Sequence, residues 1–177
     1  DQAIPVLEQA VQLQSAPGGV EADLSESLTE LANCHYYSGH YEISDTLNHR
    51  VLDIDRQLYG ERHPQVANDL INLGAIQLDE GHYEQAEQYD RQALDIIQSF
   101  YGKDNTETAS AMTLLGRALV TDGKYSDAAE MLQQALITEE HVYGPVHPRI
   151  ASTLNELGKV AQKQGKLDLA KADFERM

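Results

Sequence analysis

The sequence predicts an all-α fold, a solenoid of stacked antiparallel helix pairs, and three observations predict it. Tyr-Gly recurs at Tyr59-Gly60, Tyr101-Gly102 and Tyr143-Gly144, 42 residues apart each time, and a second glycine keeps the same interval at Gly39, Gly81, Gly123 and Gly165. Between these markers apolar residues fall at helical spacing, as in Val66, Leu70, Leu73 and Ile76. Small residues then hold one position in each helix: Ala32, Gly74, Gly116 and Gly158 in the first, Ser44, Ala86, Ala128 and Ala170 in the second. A fixed period of this size marks a repeat array, in which each unit buries its apolar face against its neighbours.

Residues 1–19 read as the second helix (helix B) of a repeat whose first helix (helix A) is absent. Ala10, Val11 and Leu13 match Ala93, Leu94 and Ile96 with a one-residue slip, and Ala16-Pro17-Gly18-Gly19 is a degenerate junction. Four units follow, 20–60, 61–102, 103–144 and a truncated 145–177, giving a single domain over 1–177. Helix A of the second unit opens at His63-Pro64, because proline fits the first helical position, where its missing N–H costs nothing. His147-Pro148 repeats this, and Asp104-Asn105-Thr106 substitutes residues that cap a helix N-terminus. Glycine ends each helix A, since it tolerates the left-handed conformation just past a helix. Helix B starts near Tyr83, carries Ala86, Ala93, Leu94 and Ile96, and stops at Tyr101-Gly102. Small side chains let the two helices of a pair approach closely, while the larger apolar residues fill the space between pairs. Both ends fall inside a repeat, so the expectation is a segment of a longer protein.

Composition narrows the function classes. The net charge is −16, although residues 149–177 carry +2. Such acidity argues against nucleic acid as the partner, since phosphate binding needs a basic surface, and no apolar run is long enough to span a membrane. Cys34 is the only cysteine. It reads as a small buried hydrophobe in a reducing, cytoplasmic compartment, with neither a disulfide framework nor a zinc cluster. None of the seven histidines forms the His-x3-His spacing that puts two ligands on one helical face. No phosphate loop, nucleophile elbow or kinase signature is present. Carboxylate pairs such as Asp79-Glu80 and Glu139-Glu140 read as solvated charges near helix ends. The expectation is therefore no catalytic residue, no metal and no cofactor. Tyr41, Tyr83 and Tyr125 share one row and Tyr59, Tyr101 and Tyr143 another, so they read as packing residues.

Three motifs together carry a resemblance. L-x-x-L-G (Leu70, Leu73, Gly74), G-x-Y-x-x-A (Gly81, Tyr83, Ala86) and A-L-x-I (Ala93, Leu94, Ile96) resemble the tetratricopeptide repeat. The usual repeat is about 34 residues; the longer period, with Y-G-x-x-H-P at the junctions, is similar to the kinesin light chain class. The resemblance covers essentially the whole chain. It implies a right-handed superhelix whose concave groove is lined by helix A, and a protein-interaction scaffold rather than an enzyme. Partner contacts would come from helix A residues that neither repeat nor belong to the core stripe: Asn33, Asn68, Asn72, Thr113, Arg117, Asn155 and Lys159, with Lys163 one turn beyond Lys159. Tyr37 is added as an aromatic outside both tyrosine rows. Arg117, Lys159 and Lys163 would form a basic spot for an acidic side chain or carboxylate. Asn33, Asn68, Asn72 and Asn155 would hydrogen-bond a peptide backbone, because an amide offers both donor and acceptor. Two other readings follow from the same residues. One is a self-associating module using Leu167, Leu169 and Phe174 on a terminal helix; the other is a regulatory segment of a larger signalling protein such as a bacterial Ser/Thr kinase.

Overall fold

The computed structural model describes residues 3–177, and among them every regular element is helical. The chain divides into two compact units, one ending at His82 and the other beginning at Tyr83. The first contains α1 (Ala3–Gln14), α2 (Glu21–Tyr37), α3 (Tyr41–Tyr59) and α4 (Pro64–Asp79). The second contains α5 (Tyr83–Tyr101), α6 (Thr106–Thr121), α7 (Tyr125–Tyr143), a 3₁₀ turn (Pro148–Ile150), α8 (Ala151–Lys163) and α9 (Leu167–Glu175). Helix A of successive repeats is α2, α4, α6 and α8; helix B is α1, α3, α5, α7 and α9.

Turns of three residues force the pairs α2/α3, α6/α7 and α8/α9 antiparallel. The turn after α6 shows how. Gly123 sits at φ 80°, and Lys124 N–H reaches back to the Leu119 carbonyl (2.9 Å), satisfying a carbonyl the helix leaves open. Helix starts are capped as their sequences suggest. The His63 imidazole accepts from Gln65 N–H (3.2 Å), and the Asn105 side chain accepts from Glu107 N–H (2.8 Å). At His147-Pro148 the start is tighter than expected: Ile150 N–H bonds the His147 carbonyl, making a 3₁₀ turn before α8 begins.

Close approach within pairs is literal. A Cβ on Gly116 would lie 2.6 Å from the Leu132 side chain, and one on Gly158 2.5 Å from Phe174. In α2/α3 the same approach lets the Ser44 hydroxyl donate to the Ala32 carbonyl at 2.9 Å. Around these contacts the core is aliphatic. Leu28, Leu70, Leu73 and Ile76 are buried in the first unit; Leu115, Leu119, Leu132 and Leu154 in the second. Each contributes about 1.5–3 kcal/mol by leaving water.

The junctions between pairs are not uniform. Helix B positions Asp55, Ile97 and Glu139 are equivalent, as are helix A positions Asp69, Ala111 and Thr153. Asp55 and Asp69 are both 1% exposed; Ser25 donates to Asp55 (2.5 Å), and Asp69, whose Oδ2 is buried without a hydrogen-bond partner, lies close enough to feel the Asp55 charge. Glu139 is also buried and accepts from the Thr153 hydroxyl (2.8 Å), which contacts the Thr113 hydroxyl (2.8 Å). This corrects the reading of Glu139 as a solvated charge: it lies on the α7 face turned toward α8. Its neighbour Glu140 is tied to Arg176. Cys34 is half-buried rather than buried. The junction tyrosines pack on capping residues instead of the core: Tyr59 stacks on His63 and Tyr143 on His147, each with ring centroids 4.9 Å apart.

Candidate functional site

In the first unit α2, α3 and α4 enclose a cavity of about 200 Å³. From α2 come Asn33, Tyr36 and Tyr37, which share a face at i, i+3 and i+4. Asn72, Ala75 and Ile76 repeat that spacing on α4, and the small side chain of Ala75 leaves the space open. Asn33 and Asn72 are half-buried, while Tyr37 is 85% exposed. The Tyr36 hydroxyl donates to Asp79, which orients its ring against Tyr37 and Tyr41. Ser44 and Asn48 of α3 complete the lining. Asn48 is 2% exposed; its Nδ2 donates to the Ser44 carbonyl (2.9 Å), but its Oδ1 accepts nothing. A buried acceptor without a donor is costly, on the order of 1–3 kcal/mol, and marks a place where an N–H or O–H from outside would be welcome. Asn68, one turn before Asn72, is exposed and does not line the cavity.

In the second unit Arg117 and Lys163 are exposed. Arg117 acts on Asp90, a buried α5 carboxyl raised to about 7 by desolvation, with the guanidinium pulling the other way. Lys159 is already engaged: its Nζ bonds Glu156 Oε1 (2.8 Å), and Asn155 Nδ2 reaches the same oxygen (3.3 Å). Thr113 is 7% exposed, and its hydroxyl is committed to the Ala109 carbonyl and to Thr153. Three of the nine residues singled out from sequence thus share one cavity. Arg117, Lys159, Asn155 and Lys163 lie on α6 and α8, and Thr113 is interior.

Asn48 and Asp90 were missed, although a signal existed. They share a helix B row with Leu132 and Phe174, the residues that fill the space over Gly116 and Gly158. Asn48, Asp90 and Leu132 of that row are buried. The histidines hold a second surprise. The turn after α2 brings His40 back to His35, Nδ1 to Nδ1 at 3.3 Å, and the equivalent turn after α4 brings His82 to Gln77 at 3.0 Å. Among the described residues no three His, Cys, Asp or Glu side chains gather as metal ligands would, and no helix is long and apolar enough to cross a membrane.

Profiles described as tetratricopeptide repeat match residues 23–99, 78–136 and 151–176. Similar solved structures include BtubC (BKLC) from P. vanneervenii, 22% identical, with TM-score 0.85 over 99% of this chain and 70% of that one. A protein from Podosopora anserina with nearly identical TPR-like repeats, named as a kinesin light chain, is 22% identical, with TM-score 0.83 over 99% and 83%. A Rap protein complexed with Competence and Sporulation Factor is 20% identical, with TM-score 0.78 over 98% of this chain and 46% of that one. These likenesses show the fold, an all-α helical repeat solenoid. No curated protein matches the sequence.

Proposed function

The chain belongs to the tetratricopeptide repeat family, and from that premise we propose that it is a non-enzymatic scaffold holding a peptide or protein segment against its helix A faces. The cavity of the first unit carries this reading. Its amides can satisfy an extended backbone, Tyr37 offers an exposed ring at the rim, and Asn48 Oδ1 presents an acceptor with no partner of its own. The structurally similar Rap protein, solved as a complex with Competence and Sporulation Factor, supports a binding role for an array of this kind. A rigid surface keeps the ordering cost on the ligand side, so affinity depends on a few well-placed contacts. Acidic ligands are favoured by the exposed cations Arg117 and Lys163; an incoming carboxylate at Lys159 has to share it with Glu156. The lone cysteine fits a cytoplasmic setting.

The test is peptide-library binding, run in parallel on wild type, Asn33→Ala/Asn72→Ala and Arg117→Glu/Lys159→Glu. Hits weakened by the first pair establish the cavity. Acidic hits weakened by the second establish the basic spot. Hits indifferent to both pairs would overturn the reading.

A further inference from the structure

A second concavity lies on the other side of the second unit, between the helix B elements α5 and α7. Its floor is α6, and its volume is about 410 Å³, within the range of ligand clefts. Leu119 and Met112 are buried in that floor, and Met131 of α7 is half-buried beside them. Two of the three methionines in the chain therefore meet here, and methionine is the side chain that best re-packs around varied apolar guests.

The rim is charged unequally. On the α5 side Arg91 is already bound to Glu87 through Nε (2.8 Å) and an Nη (2.6 Å). On the α7 side Asp127 and Glu130 are exposed, and no cation lies within ion-pair distance of either among the described residues. Lys124, the nearest basic residue in sequence, is occupied by Glu87 (2.6 Å) and Asp122 (2.7 Å). Asp127 also lies in the first turn of α7, where the partial positive charge of the helix N-terminus sits well with a carboxylate. An apolar floor is thus bordered by two uncompensated negative charges.

These features are not architecture, because the repeat does not copy them. One period on, Met131 becomes Asp173, Asp127 becomes Leu169 and Glu130 becomes Ala172. Asp173 is buried there, and Arg176, which replaces Gln134, pairs with Glu140.

We propose that the α5–α7 cleft is a separate docking site for a protein segment that presents an apolar side chain with a lysine or arginine within one helical turn of it. The apolar group enters the methionine floor, and the cation settles between Asp127 and Glu130. Its ligand is opposite in charge to the acidic segment expected on the helix A faces, so one molecule of this protein can hold two chemically distinct partners at once.

Fluorescence anisotropy with three labelled peptides tests this: a leucine-plus-lysine segment, the same segment with lysine changed to glutamate, and the same segment with leucine changed to serine. The first peptide should bind best. Asp127→Asn/Glu130→Gln should weaken it about five-fold or more and flatten its salt dependence, as expected for two rim ion pairs. Met131→Gln should weaken it without altering the salt dependence. Glu42→Gln/Glu84→Gln, which removes the same two charges at exposed positions outside the cleft, should leave it unchanged. Equal binding of the serine peptide would reduce the effect to general attraction by an acidic chain and overturn the proposal. So would preference for the glutamate peptide, indifference to both protein variants, or no binding of the first peptide.

Discussion

Replacing Asp69 by asparagine isolates the energetic consequence of burying two carboxyls against each other. Asp69 is pushed up to about 7, first by desolvation, then by the Asp55 charge and hydrogen bond, with Arg56 opposing. In the unfolded chain the same group ionises at its ordinary value of 3.8. An acid whose folded pKa is raised does not penalise folding below its unfolded value. Stability then falls as pH rises through the interval between the two and levels off above the folded value. From pH 5 to pH 8 the group therefore traverses about two pH units of slope, or about 2–3 kcal/mol. Asparagine keeps the shape and supplies a permanent N–H to Asp55 where the native pair needs a shared proton. Urea unfolding followed by circular dichroism at pH 5 and pH 8 reads the difference. The variant's stability relative to wild type should be about 2–3 kcal/mol greater at pH 8 than at pH 5, where about one pH unit of the penalty is still present. Asp90, Glu139 and Asp173, all raised by burial, leave a residual slope in both proteins. Parallel pH profiles for variant and wild type, or an asparagine variant weaker at pH 8, would refute the shared-proton account.

Three further outcomes follow from the packing. Gly116→Val drives a branched side chain into Leu132, which lies 2.6 Å from an ideal Cβ, and should cost about 1–3 kcal/mol in urea unfolding. Thr153→Val removes the donor to Glu139 and should destabilise by about 1–3 kcal/mol. That loss should be larger at pH 8 than at pH 5, because the ionised carboxylate is the form left without a partner. Asn48→Leu installs the residue found at the equivalent Leu132; the fold should keep or gain stability, while peptides bound in the first-unit cavity should lose about ten-fold in affinity, since one hydrogen bond is worth about 1 kcal/mol or more.

Helix identity and helix ends were legible because the period separates architecture from everything else. A residue that returns every 42 positions, such as Gly81 or Tyr101, serves the array. The same logic singled out Asn33 and Asn72 as departures from their rows and Tyr37 as an aromatic outside the repeating tyrosines, and all three line one cavity. It failed where a departure is absorbed by the interior. Thr113 stands on helix A like a contact residue, yet the next helix A offers Thr153 directly to its hydroxyl. Lys159 looked like a free cation, but Glu156 one turn earlier holds it, and that i, i+3 pair was readable in the sequence. Burial of Glu139 was not, because helical spacing alone does not say which helix B rows face a neighbouring pair. His35 and His40 escaped notice because a five-residue separation meets only when a glycine-closed turn folds it back.

The unequal junctions bear on how a chain of near-copies assembles in the right order. Aliphatic faces built on one template are nearly interchangeable, so a helix pair from one repeat can dock in the place of another during synthesis. Here the pairing surfaces differ: acid near acid at Asp55 and Asp69, buried alkyl groups at the equivalent Ile97 and Ala111, acid against hydroxyl at Glu139 and Thr153. Docking one step out of turn sets Asp55 against Ala111, or Glu139 against nothing that donates, and strands a carboxylate in the interior. Correct succession along the array is thereby encoded in three pairs of side chains, like teeth cut differently on otherwise identical keys.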